Sequence, residues 1–106
     1  MILITGGTGY IGSHICKKLS DDMLNYFSVD NCKRSHVSNV VKKKKFFKLD
    51  ISSQKMLKIL KIKKIKTVIH SAAYTFPNES ELKKKTYYLN NIKKTIKFIE
   101  FCKEAK

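Results

Sequence analysis

Apolar and polar residues alternate along the chain in blocks, and the period of each block predicts an element. "ILIT" at 2–5 is a short apolar run closed by glycines, the pattern of a strand buried on both faces. "YIGSHICKKLS" at 10–20 places Ile11, Ile15 and Leu19 four residues apart, which predicts one apolar helical face. "NYFSVDN" at 25–31 reads as a second strand ending at Asp30, and "KFFKLD" at 45–50 as a third ending at Asp50. Between them, residues 33–45 are polar and lysine-rich and predict a surface loop or ragged helix.

Ser52 and Ser53 suit helix N-caps, and Met56, Leu57, Ile59 and Leu60 give the helix over 52–63 an apolar side. "KTVIHSAA" at 66–73 predicts a fourth strand. Pro77, the only proline, sits near Asn78 and Ser80 and suits a helix start. Leu82, Leu89, Ile92, Ile96, Ile99 and Cys102 then recur at helical steps, which predicts one long amphipathic helix over 80–104. Strands alternating with helices imply an α/β fold with a parallel sheet and right-handed crossovers.

With 106 residues the chain makes one small domain, and no second domain or internal repeat is visible. No apolar run is long enough to span a membrane. Met1 leads straight into a strand with no basic stretch before it, so no signal peptide is expected and the protein reads as cytoplasmic. Cys16, Cys32 and Cys102 are odd in number and far apart, so neither a disulfide framework nor a metal site is expected.

The net charge of +15 raises the question of nucleic acid. Arg34 is the only arginine among the 23 basic residues, whereas nucleic-acid sites lean on arginine forks. Aromatics do not interleave the lysine runs either, so nucleic acid is disfavoured as a partner. Runs such as 42–45 and 83–85 read as solvated faces.

All four glycines lie within seven positions: Gly6, Gly7, Gly9 and Gly12. Gly7 to Gly12 match G-x-G-x-x-G, after a strand and opening a helix, the context that gives the motif meaning. Such a turn lets a pyrophosphate approach the backbone at a helix N-terminus. Asp30, closing the second strand 24 residues after Gly6, is placed to accept hydrogen bonds from an adenosine ribose. That favours NAD, although Lys33 and Arg34 nearby leave NADP open.

"TGGTGYIGSH", "VDN" at 29–31, "LDI" at 49–51, "VIHSAA" at 68–73 and "YYLNN" at 87–91 follow in an order and spacing that resemble the extended short-chain dehydrogenase/reductase family. Within it they resemble the NAD-dependent nucleotide-sugar epimerases and, less specifically, the dehydratases. The resemblance implies the N-terminal half of a Rossmann fold, a sheet of about four strands in the order 3-2-1-4 with flanking helices. It implies that Gly6, Gly7, Gly9, Tyr10, Ile11 and Gly12 line the NAD pyrophosphate, and that Asp30 and Asn31 hold the adenine ribose. Asp50 and Ile51 would meet adenine. Ser71, Ala72 and Ala73 would lie along the nicotinamide half, with Asn90 beside cofactor and sugar. His70 would be structural.

Two positions and one loop depart from the family pattern: Thr75 stands where many members have lysine, Leu49 where glycine is common, and the loop after Asn31 is short. The family's chemistry needs Tyr-x-x-x-Lys, a tyrosine base beside a lysine. Four residues after Tyr10, Tyr26, Tyr74, Tyr87 and Tyr88 stand His14, Asp30, Asn78, Asn91 and Ile92. The resemblance therefore implies an isomerase of galactose metabolism of which these residues are the cofactor-binding part, inactive alone. A UDP-sugar would bind only if the missing substrate-binding domain were supplied. A non-catalytic NAD-binding module is the alternative. The fourth strand would form an open sheet edge at which copies could associate.

Overall fold

The computed structural model describes all residues, 1–106. Four strands, β1 (Ile2–Thr5), β2 (Tyr26–Asp30), β3 (Phe46–Lys48) and β4 (Thr67–His70), form one parallel sheet in the order β3-β2-β1-β4. The register pairs Leu3 with Phe27 on one side and Val68 on the other, and Ser28 with Phe46. This is the first half of a Rossmann sheet, as the sequence led us to expect.

Both sheet faces are covered, which explains why the strands are apolar without alternation. Leu3, Phe27 and Val29 point to one face, where α2 (Gln54–Lys63) and α5 (Lys94–Glu104) supply Met56, Leu57, Leu60, Phe98 and Phe101. Ile4 and Tyr26 point to the other, against Cys16 of α1 (Tyr10–Asp21). Ile15 and Leu19 pack beside Cys16, but Ile11 of the expected apolar face is exposed.

The chain after β4 departs furthest from the periodicity. The expected single helix over 80–104 is interrupted: α3 (Pro77–Leu82) ends at Lys83, whose φ of −121° and ψ of 46° are not helical. After α4 (Lys84–Tyr87) the helix widens to a π-helical stretch over Tyr88–Lys93 before α5 begins. A wider turn rotates the phase of the pattern, so positions counted across it do not share a face. Phe98 and Phe101 are the residues that dock on α2, while Leu89, Ile92, Ile96 and Ile99 are exposed. No helix is long and apolar enough to cross a membrane.

Candidate functional site

The C-terminal ends of the four strands surround a cavity of about 590 Å³. In an open parallel sheet this is where ligands bind, at the crevice beside the central strand. Its floor is the turn from β1 to α1. Gly6 has a φ of +73°, which an L-residue with a side chain resists, and a Cβ there would lie 2.8 Å from the backbone of Ser71 and Ala72. At Gly12 a Cβ would come within 2.0 Å of the Gly6 carbonyl oxygen, so this glycine lets α1 sit against the turn. A Cβ on Gly9 would meet only that same carbonyl oxygen, at 3.3 Å.

The turn is tied to β2 through Thr8, which is fully buried. Its backbone N–H donates to Asp30 Oδ2 at 3.1 Å, and its hydroxyl hydrogen-bonds Ser35. Asn39 Nδ2 donates to the Thr8 carbonyl at 2.9 Å. Asp30 Oδ1 accepts from the Cys32 N–H at 2.8 Å. Each carboxylate oxygen of Asp30 thus carries one protein donor and keeps capacity for another.

At the β3 end, Asp50 is bound by the Ser52 N–H at 3.0 Å and hydroxyl at 2.7 Å on Oδ1, and by Lys94 on Oδ2. Burial pushes this carboxyl up, but Lys94 and the Ser52 donors outweigh it and hold it at about 2. At the β4 end, the Ser71 hydroxyl donates to the Thr5 carbonyl at 2.6 Å and the Ala72 N–H to Thr5 Oγ1 at 3.3 Å. His70 bridges Thr5 and Thr95 and stacks on Phe98, and desolvation lowers its pKa. A neutral ring held between two hydroxyls fits a structural role.

Gly6, Gly9, Tyr10, Asp30, Asn31, Asp50, Ile51, Ser71, Ala72, Ala73 and Asn90 all line this one cavity. Gly7, Ile11 and Gly12 do not: Gly7 is packed on Ser28, Gly12 under the Gly6 carbonyl, and Ile11 faces solvent. No group of three or more His, Cys, Asp or Glu side chains is placed to hold a metal ion.

The sequence model of the NAD-dependent epimerase/dehydratase family matches residues 2–106. The chain belongs to this family. UDP-glucose 4-epimerase of Lactobacillus helveticus is 35% identical over 105 residues, which are 98% of this chain and 32% of that protein. A crystal structure of a UDP-glucose 4-epimerase superposes with a TM-score of 0.92 at 35% identity, covering 97% of this chain and 32% of the other. UDP-glucose 4-epimerase from Brucella ovis, in complex with NAD, superposes at 0.90 with 31% identity, covering 98% and 32%. The chain thus spans about a third of the length of the relatives it matches.

Against this epimerase/dehydratase background, several cavity residues escaped the sequence reading. Thr8, Ser13, His14, Ser35, Asn39, Tyr74, Phe76 and Lys94 also line it, as does Arg34, which the sequence placed near Asp30. Thr8 carried a signal, as the small polar residue between two motif glycines. Ser35 and Asn39 lie in the stretch read as surface loop, and only their bonds to Thr8 bring them inward. The paired asparagines divide their work. Asn90 lines the cavity, whereas Asn91 accepts from the Tyr74 N–H and donates to the Tyr74 carbonyl, each at 2.8 Å.

Proposed function

We propose that these 106 residues are the NAD-binding part of a nucleotide-sugar epimerase, UDP-glucose 4-epimerase being the member that fits best, acting in the cytoplasm in galactose metabolism. One observation carries the reading: a single cavity at the strand ends gathers the glycine turn, the β2-terminal Asp30 and the small residues after β4. These are the parts a dinucleotide needs, in the order in which it would meet them.

The residues present fit the cofactor. At Gly9 the turn has no side chain where a pyrophosphate would approach, and the start of α1 offers unpaired backbone N–H groups to it. Asp30 and Asn31 hold the ribose end, Asp50 and Ile51 the adenine end. Ser71, Ala72 and Ala73 leave room for the nicotinamide half. Bound there, NAD would supply hydride transfer at the sugar ring. This chain's part is to bind and orient: Asn91 fixes the Tyr74 backbone, and Thr8 fixes Asp30. No tyrosine here is followed by lysine at the fourth position, so in this reading the base that takes the sugar hydroxyl proton comes from outside these residues.

That same missing pair favours a second reading, a module that binds NAD without chemistry. Calorimetric titration of the purified chain with NAD tests what both share. Asp30→Ala is expected to weaken NAD binding about tenfold or more, the loss of about 1.4 kcal/mol at a charge-assisted acceptor. Equal affinity in the variant would refute the ribose assignment. Adding the remaining two thirds of a related epimerase, and assaying UDP-galactose conversion, separates the enzyme from the module.

A further inference from the structure

Arg34 is the chain's only arginine, and it lies in the cavity wall contributed by the loop after β2. Its partner is Glu79 of α3, in the segment after β4, 45 residues away. The contact is a fork: Nη1 donates to Oε2 at 2.7 Å and Nη2 to Oε1 at 2.8 Å. Bidentate pairs of this kind fix geometry as well as charge. In the sheet, β2 and β4 lie on opposite sides of β1. The Arg34–Glu79 pair therefore joins the two walls that flank the β1–α1 turn.

The far wall is built to receive it. The guanidinium carbon sits 4.4 Å from the Tyr74 ring centroid and 5.8 Å from that of Phe76, both cavity residues. The Tyr87 hydroxyl donates to Glu79 Oε2 at 3.0 Å or to the Phe76 carbonyl at 3.1 Å, and lies 3.2 Å from the Phe76 N–H, from which it can accept. Lys83 adds an ammonium 3.2 Å from Glu79 Oε1. The Arg34 guanidinium, more than any other neighbour, pulls the Glu79 carboxyl down to about 2, so Glu79 is a carboxylate at any ordinary pH. The near wall is anchored just beyond the arginine, where Ser35 and Asn39 bond Thr8 in the glycine turn.

We propose that Arg34 and Glu79 are the latch of the cofactor cleft: their fork holds the two walls together and sets how fast a bound dinucleotide leaves. The inference rests on the NAD reading above. A dinucleotide stretched from the β3 end to the β4 end must cross β1 between these walls. With the fork closed, the ion pair ties the loop after β2 to α3, and so the two walls to each other. Both side chains are positioning residues, since they act through the walls they join. The pair is partly open to water, with side-chain exposures of 35% and 20%, so it can break and re-form without unfolding α3.

The test is rapid displacement of a fluorescent etheno-adenine analogue of NAD from the purified chain by excess NAD. Glu79→Gln and Arg34→Gln are each expected to speed dissociation about tenfold, as loss of one charge-assisted fork would. The double variant is expected to be no faster than either single one, because one contact is lost in all three. In the unaltered chain, raising salt from about 0.05 to about 0.5 M should speed dissociation more than in the double variant, which has no pair left to screen. This last comparison still decides the matter if one single variant fails to fold. Analogue binding with unchanged dissociation rates, or single effects that multiply, would overturn the latch alone. No binding of NAD or analogue by the unaltered chain would overturn the cofactor reading, and the latch with it.

Discussion

Gly9 and Gly12 stand three residues apart in one motif, yet the structure gives them different reasons to be glycine. Gly12 faces protein: a methyl group there would press to within 2.0 Å of a backbone carbonyl that has nowhere to go. Gly9 lines the cavity, and a methyl group there needs only a few tenths of an ångström from the Gly6 carbonyl. Gly12→Ala is therefore expected to lower stability by about 2–3 kcal/mol through overpacking, although alanine favours a helix. Gly9→Ala is expected to leave the thermal midpoint nearly unchanged and to weaken NAD binding by tenfold or more, because its methyl group would stand where the pyrophosphate approaches. Melting curves and titrations of the two variants check this. If both lose stability alike, Gly9 is a packing residue and the cradle argument fails. The motif itself was legible in the sequence, because a strand, four clustered glycines and a helix are all local. The division of labour within it was not, since it depends on the Gly6 carbonyl folded back over the helix start, with Ser71 Oγ beside it.

Elements show the same boundary between local and distant causes. The four strands could be read from short apolar runs, the first three closed by glycine or aspartate and the fourth by small residues, and their ends fell within a few residues of expectation. The last helix could not, because α5 carries two apolar faces and only contact with α2 decides that Phe98 and Phe101 are the buried one. The stretch 33–45 hid site residues for a similar reason: nothing beside Ser35, Asn39 or Arg34 announces Thr8 or Glu79 as a partner. One such distant tie has a measurable pH signature. Lys94 of α5 holds Asp50, and with Ser52 keeps its carboxyl at about 2 against an ordinary 3.8. A carboxyl lowered by folding adds stability above its unfolded pKa and loses it as pH falls toward the folded value. The tie is therefore fully present above about pH 4 and vanishes toward pH 2. Its size is about 1 kcal/mol once solvent screening of this partly exposed pair is counted. Asp50→Asn is expected to be less stable than the unaltered chain by about this amount at pH 7, with the gap closing as pH falls from 4 to 2. Denaturant melts across that range measure it; a gap that stays constant would remove the ion pair as its cause.

At the scale of the whole molecule, two apolar features have no cover within the chain. β4 pairs only with β1, which leaves its other edge open. Ile96 and Ile99 lie three residues apart on the outer side of α5, Leu89 and Ile92 lie in the π-helical stretch before it, and all four are exposed. Open edges and apolar stripes both favour association. A net charge of +15 opposes it between identical copies, since every approach brings like charge together. Which effect wins depends on salt. Repulsion acts over a Debye length of about 30 Å at 0.01 M and about 3 Å at 1 M, whereas apolar contact is not screened. The chain is therefore expected to sediment as a monomer at low salt and to associate as salt rises. Ile96→Glu should suppress the high-salt association if the helix stripe is the contact. If that variant associates like the unaltered chain, the β4 edge is left as the contact. A chain that stays monomeric at 1 M salt and high concentration would show that neither surface joins copies of itself.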